Sequence, residues 1–535
     1  MKKKILSVLL CAAMMTGLAA CAGTSSTPAA PAQEPAAAEE TAEEAAPAEE
    51  TAEEAPAAED APAEEVSNGD VKHVVMSMMT WTGAPADTQA VQDAMNDILI
   101  PKVGAEVELQ ILDAGAYNQN MTLALAGGEQ IDLLLTITLG YPTLVAKGNL
   151  LDMEEDDLLS TYGAGILDVV DAEYIEACRI DGGLYGLPNN RDFAQGRGCM
   201  AVRKDMLEGI GYEIPEAEEE VPITIEELTD LLYKMHEAYP EMETYRPVAA
   251  NSLAQTLSYD ALGGNTYGVL MNYGQDLTVE NLFESQEYMD YCKRMYQWNK
   301  DGLISQNAAT DPTDVESLTT AGQLIAFTTA GKPGITAQES PAGKGRDMVI
   351  FQFGEDFMAS SSISSWTWSI PYTTADAATA MKVLNEFYTN PELANMLCYG
   401  VEGVNYEINE EGLLDTSLGT NAGAFQTLNF CAPNEFITVP LVGNTVDLWD
   451  QVQKFNAESN KSKALGFTFD SAPVSTEITA VANAYAEYQK SVEFGYVDPE
   501  VGIPEMNEKL KAAGLETIIA EKQRQLDEWL AAKGE

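Results

Sequence analysis

Residue types that carry out covalent or metal chemistry are present in this chain, but not in the spacing that an enzyme needs. The two histidines, His73 and His236, are not at metal-ligand spacing. No nucleophile elbow, phosphate-binding loop, zinc-protease helix or calcium-loop pattern is found. With 85 Asp and Glu residues, a glycosidase-like acid pair is always available and indicates nothing by itself. We therefore predict no catalytic chemistry, no cofactor and no metal. The acidic cluster at 152–157 could bind calcium weakly, but we interpret it as the solvated start of a helix.

Cys21 is the exception, because its position predicts a covalent modification. Three lysines at 2–4 precede an apolar run that ends at Leu18, which is the pattern of a secretory signal peptide. The segment Leu-Ala-Ala-Cys at 18–21 resembles a bacterial lipobox, and in such signals cleavage leaves a lipid-modified cysteine at the new N-terminus. We expect residues 1–20 to be a lipoprotein signal peptide and Cys21 to anchor the protein to the membrane. The alternative is a plain secretory signal with a chance cysteine.

Residues 21–70 have the composition of a disordered tether. The segment consists mainly of Ala, Pro, Glu, Thr and Ser, and it has no aromatic residue. Such a chain cannot bury enough apolar surface to offset the entropy lost on ordering. Repulsion between glutamates and the stiffness of proline favour an extended chain. The alternative is a fraying Ala/Glu helix, against which the prolines argue.

Charge and cysteine content exclude several classes of function. The net charge of −56 excludes binding to nucleic acid or to an anionic membrane face by electrostatics. Besides Cys11 and Cys21, five widely separated cysteines remain, which is neither a disulfide framework nor a zinc site. One or two disulfides stay open as an alternative. The folded part, 71–535, is long enough for two or three domains or for two lobes of one architecture, and we expect a monomer.

Strand and helix patterns alternate along the first part of the folded chain, which predicts an α/β lobe with a mainly parallel sheet. In such sheets ligands bind beyond the carboxyl ends of the strands, where the loops at 80–85 and 138–142 fall. Asp87 is predicted to cap the first helix and Thr224 a later one. Predicted strands are 74–79, 107–112, 131–137, 199–203, 323–327 and 366–370, and predicted helices are 117–126, 143–147, 224–239, 284–301, 376–388 and 504–532, the last broken near Gly514.

Several motifs, taken in order, carry a resemblance to a known family. They include Asp-Gly-Gly-Leu-Tyr-Gly-Leu-Pro at 181–188, the strand and helix start at 200–207, and the segments 222–228, 370–387, 400–406 and 507–514. Together with the lipobox, they resemble the extracellular solute-binding lipoproteins of ABC importers, family 1, of the large carbohydrate-binding type. The ending resembles a subgroup whose C-terminal region is a domain of unknown function. The match covers nearly all of 71–535.

The resemblance implies a type II periplasmic-binding-protein-like α/β fold, with two lobes joined by hinge strands and the ligand in the cleft between them. Residues 71–400 would form the two-lobed solute-binding region, and residues 401–535 would complete the lobes. The expected function is capture of a mono- or oligosaccharide at the outer face of the cell membrane and its delivery to the permease subunits of an ABC transporter. Closure around the ligand would be a hinge motion.

Eight residues are candidate ligand contacts, chosen because a sugar site stacks aromatic rings on sugar faces and places polar groups around the rim. Trp366 and Trp368 are two apart, so in a strand they point to the same side. Trp81 and Tyr141 follow the first and third strands. Four polar residues follow the hinge-like Leu-Pro at 187–188; they are Asn189, Asn190, Arg191 and Asp192.

Three other functions stay open on the sequence. An extracellular glycan-active hydrolase would need an acid pair facing a cleft. A receptor for peptides or other small solutes would have a cleft without aromatic platforms. A surface adhesin or scaffold would show a closed, ligand-free interface between the lobes.

Overall fold

The computed structural model describes residues 71–215, 220–248, 252–340 and 346–534. The predicted signal peptide, Cys21 and the predicted tether at 21–70 lie outside these ranges. The described part is a two-lobed α/β structure, as predicted, with a separate main sheet and a separate apolar core in each lobe.

Strands form the two main sheets and three two-stranded pairs. In chain order they are β1 (Lys72–Thr80), β2 (Ala105–Asp113), β3 (Leu133–Leu135), β4 (Arg179–Ile180), β5 (Gly183–Leu184), β6 (Leu187–Pro188), β7 (Gln195–Arg203), β8 (Glu220–Pro222), β9 (Glu243–Arg246), β10 (Val269–Leu270), β11 (Val279–Glu280), β12 (Leu324–Gly331), β13 (Met348–Gln352), β14 (Asp356–Met358), β15 (Thr367–Ser369), β16 (Glu407–Ile408), β17 (Leu414–Asp415) and β18 (Asn460–Lys461).

Helices pack beside both sheets and make up most of residues 475–534. They are α1 (Thr88–Val103), α2 (Ala114–Gly127), α3 (Tyr141–Ala146), α4 (Leu158–Tyr162), α5 (Ala164–Val169), α6 (Ala172–Glu176), α7 (Lys204–Gly209), α8 (Ile225–Ala238), α9 (Ser252–Thr256), α10 (Met271–Gly274), α11 (Gln286–Lys300), α12 (Val315–Thr320), α13 (Ile335–Glu339), α14 (Ala377–Thr389), α15 (Pro391–Tyr399), α16 (Leu448–Glu458), α17 (Ser475–Glu493), α18 (Pro499–Ala513) and α19 (Leu515–Lys533).

Lobe 1 is built on a five-stranded sheet of order β2-β1-β3-β15-β6. Strand β1 runs parallel to β2 and β3, while β15 runs antiparallel to β3 and β6. The central strand β1 is buried from Val74 onward, whereas the edge strand β2 alternates between buried and exposed residues. The carboxyl ends of β1, β3 and β6 therefore meet the beginning of β15 at one edge of this sheet.

Lobe 2 is built on a seven-stranded mixed sheet, in which the order β18-β14-β7-β12-β9 is joined by β13 and β8. Its core holds helices with apolar residues three and four positions apart, such as Leu228, Leu231 and Leu232 of α8. A capping box of Thr224 and Glu227 begins α8, as the cap prediction required. The C-terminal helices α17, α18 and α19 pack on the same core, so the end of the chain belongs to lobe 2.

Three segments carry the chain between the lobes. The first connection, residues 189–194, follows β6 of lobe 1 and enters β7 of lobe 2. The second connection, residues 359–366, leaves β14 of lobe 2 and enters β15 of lobe 1. The third lies between Phe455, which packs on the core of lobe 1, and β18 of lobe 2.

Every strand and helix predicted above has a counterpart, with shifted bounds. Two local predictions were wrong. Tyr141 was placed in a turn but begins α3, because Gly140 makes the turn at φ 76° and Pro142 is tolerated in a first helical turn. Asp87 precedes α1, but its carboxylate does not cap that helix. It accepts hydrogen bonds from the side-chain amides of Asn405 at 2.8 Å and Asn421 at 2.6 Å instead.

Candidate functional site

The candidate site is a pocket between the two lobes, at the edge of the lobe 1 sheet where the connections cross. Asp192 and Arg191 reach it from the first connection, and Trp366 reaches it from the end of the second. Lobe 1 adds Phe430, and lobe 2 adds the end of β12 and the helix α13. Its volume is about 450 Å³, within the range of small-molecule sites. The end of β6 and the start of β15 thus form one wall of an interlobe cleft, whereas the predicted ligand loops at 80–85 and 138–142 do not line it.

Asp192 is the centre of an ionic cluster in this pocket. One carboxylate oxygen accepts from Arg191 Nη1 at 3.0 Å, and the other accepts from Lys332 Nζ at 2.6 Å. Burial acts to raise the pKa of Asp192, but the charges of Lys332 and Arg191 outweigh it and hold the pKa below its usual value. Because Lys332 follows β12 of lobe 2, this ion pair joins lobe 2 to the first connection.

Glu435 lies against the same cluster and carries a different charge state. It is 4% exposed, accepts a hydrogen bond from the side-chain amide of Asn429, and its backbone N–H donates to the Asn190 carbonyl at 2.9 Å. Burial, with the negative charge of Asp192 next, raises the pKa of Glu435 to about 8. At neutral pH the cluster therefore presents two cations and one ionised carboxylate, beside a protonated Glu435.

Trp366 is the aromatic element of the pocket. The ring is half-buried, the guanidinium carbon of Arg191 lies 4.2 Å from its centre, and the Phe430 ring lies 5.4 Å away at 41°. The guanidinium stacks on the indole by a cation–π interaction. An aromatic ring beside a carboxylate and two rigidly held donors is the set of groups that binds the faces and hydroxyls of a sugar.

The lobe 2 wall adds hydroxyls and a carboxyl group. Thr328, Thr329 and Glu339 line the pocket, and Thr329 donates to Glu339 at 2.9 Å. Burial raises the pKa of Glu339 above its usual value. Lys332 and these residues were not singled out from the sequence. The signal that could have found them is the rule used for lobe 1, because they lie at the carboxyl end of the predicted strand 323–327.

Asn189 and Asn190, two of the predicted contacts, hold the first connection against lobe 1 rather than lining the pocket. Both are buried. The Asn189 amide donates to the Phe430 carbonyl, and the Asn190 amide donates to the Val169 carbonyl at 3.0 Å. Their place beside Arg191 and Asp192 makes them supports for those side chains.

Three predicted aromatic contacts lie elsewhere. Tyr141 is 1% exposed and donates its hydroxyl to the Cys178 carbonyl at 2.7 Å, and Trp368 is fully buried with Nε1 donating to the Cys431 carbonyl at 2.9 Å. Both are core residues of lobe 1 and lie outside the pocket, so their contact with ligand stays a prediction. Trp366 precedes β15, whereas Trp368 lies within its ladder and points into the core. Trp81 is 62% exposed at the same sheet edge but outside the pocket, and its role stays a prediction.

Asn456, at the end of α16, fixes the first connection from the opposite side. Its Oδ1 accepts from the backbone N–H groups of Phe193 at 2.9 Å and Ala194 at 3.0 Å, and its Nδ2 donates to the Arg191 carbonyl at 2.8 Å. The residue is 1% exposed. One amide thus satisfies three backbone groups of the segment that presents Arg191 and Asp192.

A second, larger pocket of about 710 Å³ lies between α3 of lobe 1 and α19 of lobe 2. Its one arginine, Arg179, is paired within lobe 1, since it binds Glu154 and Glu176 at 2.7 Å each. Its aromatic ring, Trp529, carries Lys533 at 4.1 Å, much as Trp366 carries Arg191. The first pocket is the better candidate because Arg191 and Asp192 of the first connection meet Lys332 of lobe 2 in it.

Neither a metal site nor a disulfide is found in the described ranges. No group of three or more potential ligands is placed to hold a metal ion among these residues. The five cysteines there, Cys178, Cys199, Cys292, Cys398 and Cys431, are all buried and free. Across the same ranges, no helix is both long and apolar enough to cross a membrane.

The fold and the interlobe pocket define a class, that of two-lobed binding proteins that hold a solute between their lobes. The profile described as bacterial extracellular solute-binding protein matches residues 86–394. A second profile, the domain of unknown function DUF3502, matches residues 463–531. The chain therefore belongs to the bacterial extracellular solute-binding protein family, which confirms the resemblance drawn from its motifs. The predicted boundary between residues 400 and 401 stays a prediction.

Named relatives agree with this assignment. The chain is 26% identical over 447 residues to a carbohydrate ABC transporter substrate-binding protein of Streptococcus pneumoniae serotype 4, covering 82% of this chain and 87% of that protein. It is 25% identical over 222 residues to the lipoprotein LipO of Bacillus subtilis, covering 38% of this chain and 40% of that protein. These relatives are named as a binding protein and a lipoprotein rather than as enzymes. An extracellular family and a lipoprotein relative indicate a cell-surface location.

Solved structures agree on the fold. The N-glycan transport solute-binding protein NgtS of Streptococcus pneumoniae matches with a TM-score of 0.76 at 24% identity, covering 86% of this chain and 100% of that chain. The alginate-binding protein AlgQ2 matches with a TM-score of 0.56 at 17% identity, covering 86% of this chain and 99% of that chain. The two-lobed fold is therefore shared with proteins that bind glycans.

Proposed function

We propose that this protein is the lipid-anchored substrate-binding component of an ABC transporter and captures an oligosaccharide in the pocket between its lobes. The observation that carries the proposal is the grouping of Trp366, Arg191 and Asp192 where two connections meet both lobes. Bound sugar would contact groups from lobe 1, the first connection and lobe 2 together, so binding would favour the closed arrangement. The bound form would then deliver its ligand to the permease.

The names of the relatives support the choice of ligand class. NgtS was solved in complex with Man1GlcNAc and with Man5GlcNAc, and the Streptococcus relative is named for carbohydrate transport. Mannose- and N-acetylglucosamine-containing glycans are therefore the first ligands to test. The absence of an enzyme motif supports binding without turnover.

A thermal-shift and calorimetric screen tests the ligand class. The chain from residue 21, with Cys21→Ser so that it carries no lipid, is measured against glycans, monosaccharides, amino acids and peptides. A ligand that binds only the folded state raises the melting temperature. We expect a glycan to do so and to be recovered intact by mass spectrometry. A cleaved glycan would support the hydrolase, and a response to peptides alone would support the peptide receptor.

Substitution of Trp366 tests the site. Trp366→Ala removes a stacking ring and is expected to weaken glycan binding by about 1–3 kcal/mol, or roughly fivefold to 150-fold. Tyr296→Ala is the matched control, because Tyr296 is also half-buried under a cation, Lys300 at 5.0 Å, but lies on α11 away from the pocket. Equal affinities in Trp366→Ala and in the wild type would refute this site. Trp81→Ala, measured alongside, tests the remaining aromatic prediction.

Anchoring has a separate test. Full-length protein expressed in a Gram-positive host is expected in the membrane fraction, and Cys21→Ser is expected to release it into the medium. Retention of Cys21→Ser in the membrane fraction would show that another feature anchors the chain.

A further inference from the structure

Ser360, near the start of the second connection, holds this segment on lobe 2, because its backbone and side-chain polar groups all have partners there. Its N–H and its hydroxyl each donate to the carboxylate of Asp260 at 2.8 Å. Its carbonyl accepts from the N–H of Gly466 at 2.9 Å. Ser360 and Asp260 are 0% and 1% exposed, so these bonds are shielded from water. Ser360 is therefore the fixed end from which the connection runs to Trp366.

Some of the contacts that hold the second connection come directly from the segment that matches the domain of unknown function, residues 463–531. Gly466 belongs to that segment and bonds Ser360. So does Thr468, whose hydroxyl lies 3.2 Å from the hydroxyl of Ser364 in the same connection. The C-terminal segment thus contacts the second connection at two points, four residues apart.

The C-terminal segment also holds Ser360 indirectly, through Lys522 of α19. Lys522 is fully buried, and its ammonium group donates to the carbonyls of Ala261 and Asn265 at 3.0 Å and of Gly268 at 2.8 Å. Three donors and three acceptors match, so the ammonium closes the loop 261–268 from within. That loop begins directly after Asp260, the residue that holds Ser360.

The loop needs such a brace because its backbone is strained. Leu262 has φ 53°, a left-handed conformation that is unfavourable for a branched side chain. Without the cation, the carbonyls of Ala261, Asn265 and the buried Gly268 would lose their donor together. The orientation of Asp260 depends on this loop, since the Leu262 N–H also donates to the Asp260 carboxylate at 2.9 Å.

We propose that the C-terminal segment 463–531 is a hinge brace, which fixes the lobe 2 end of the second connection and so positions Trp366 in the ligand pocket. Lys522 acts as a positioning residue through the loop 261–268 and Asp260, and Thr468 acts through Ser364. The affinity part of this inference rests on the proposed function, while the mechanical part concerns lobe orientation alone.

The test measures lobe orientation and affinity in the same variants. Spin labels on Glu129→Cys of lobe 1 and Glu237→Cys of lobe 2 report the distance between the lobes, and Man5GlcNAc is the probe for affinity. Lys522→Met is expected to broaden the distance distribution without ligand and to weaken binding between about twofold and thirtyfold, the range for residues that couple to a site at a distance. Lys511→Met is the control, because Lys511 lies in the same segment but pairs at the surface with Glu284.

A second variant keeps the proposal testable if Lys522→Met does not fold. Thr468→Val keeps the side-chain shape, removes the bond to Ser364 and is expected to change the distance distribution in the same direction. Unchanged distances in both variants, or in Thr468→Val alone if Lys522→Met is unfolded, would overturn the brace. Changed distances with no binding of the glycan even by wild type would keep the brace and refute the proposed ligand.

Discussion

Glu435 offers the sharpest test of the electrostatics of the pocket, because its protonation changes how the unfolding free energy depends on pH. The usual pKa of this side chain is 4.5, and burial beside Asp192 raises it to about 8 in the folded protein. Glu435→Gln keeps the acceptor oxygen for Asn429 and stays neutral at every pH. The variant therefore imitates the protonated form of the wild type.

The sign and the size of the effect follow from proton linkage. Between pH 4.5 and about 8 the folded protein keeps a proton that the unfolded chain has released. The stabilisation is complete below the lower value and is lost as the pH rises through the higher one. Integration of the linkage relation between these values gives a loss of about 2.5 kcal/mol from about pH 5 to about pH 7. Glu435→Gln should be spared this loss.

Urea unfolding followed by tryptophan fluorescence and circular dichroism measures the difference. The unfolding free energy of Glu435→Gln minus that of the wild type should rise by about 2.5 kcal/mol between about pH 5 and about pH 7. Other buried acids, such as Glu493 with its pKa raised to about 7 by burial, act in both proteins and cancel. Glu458→Gln, at a side chain 67% exposed, is the control and should follow the wild type. Parallel curves for wild type and Glu435→Gln would refute the protonated Glu435.

Three further substitutions test the ionic cluster, the first connection and the packing of lobe 2. Asp192→Asn leaves the buried Arg191 and the partly exposed Lys332 without their shared carboxylate and should lower the unfolding free energy by about 2 kcal/mol; an unchanged urea midpoint would contradict the pairing. Asn456→Ala removes three hydrogen bonds from the first connection and should lower it by about 2–3 kcal/mol, and wild-type stability would show that these bonds are replaceable. Gly495→Ala, at φ 74°, pushes a methyl group into the Met295 carbonyl and should lose more than about 3 kcal/mol or abolish the thermal transition; a wild-type melting curve would contradict this packing.

Much of the fold could be predicted from the sequence, because local patterns determine it. The apolar runs of β1 and β3, the alternation in β2 and the capping box at Thr224 are each readable within a few residues. Prediction failed where a distant partner competes for a side chain. Asp87 has the sequence position of a helix cap, but Asn405 and Asn421, more than 300 residues later, bind its carboxylate.

The site was predicted less well, and for a physical reason. Sequence spacing places Trp366 and Trp368 on one side of a strand, but it does not show that the strand begins between them. Arg191 and Asp192 were found because they follow the hinge-like Leu-Pro at 187–188, and Trp366 was found through its spacing from Trp368. Lys332 was missed although it follows the predicted strand 323–327, because only its ion pair with Asp192, 140 positions away, distinguishes it from its neighbours. Glu435 was missed because its importance comes from the distant charge of Asp192, which no local pattern records.

The free cysteines have a consequence for handling and labelling the protein. All five in the described ranges are buried, and none forms a disulfide with another. Burial raises the pKa of thiols such as Cys178, so little reactive thiolate forms. The native structure of this part then needs no oxidant to form and no isomerase to correct it. Recombinant protein can be produced in a reducing cytosol. A cysteine introduced at the surface can be alkylated selectively, because the buried native cysteines do not react.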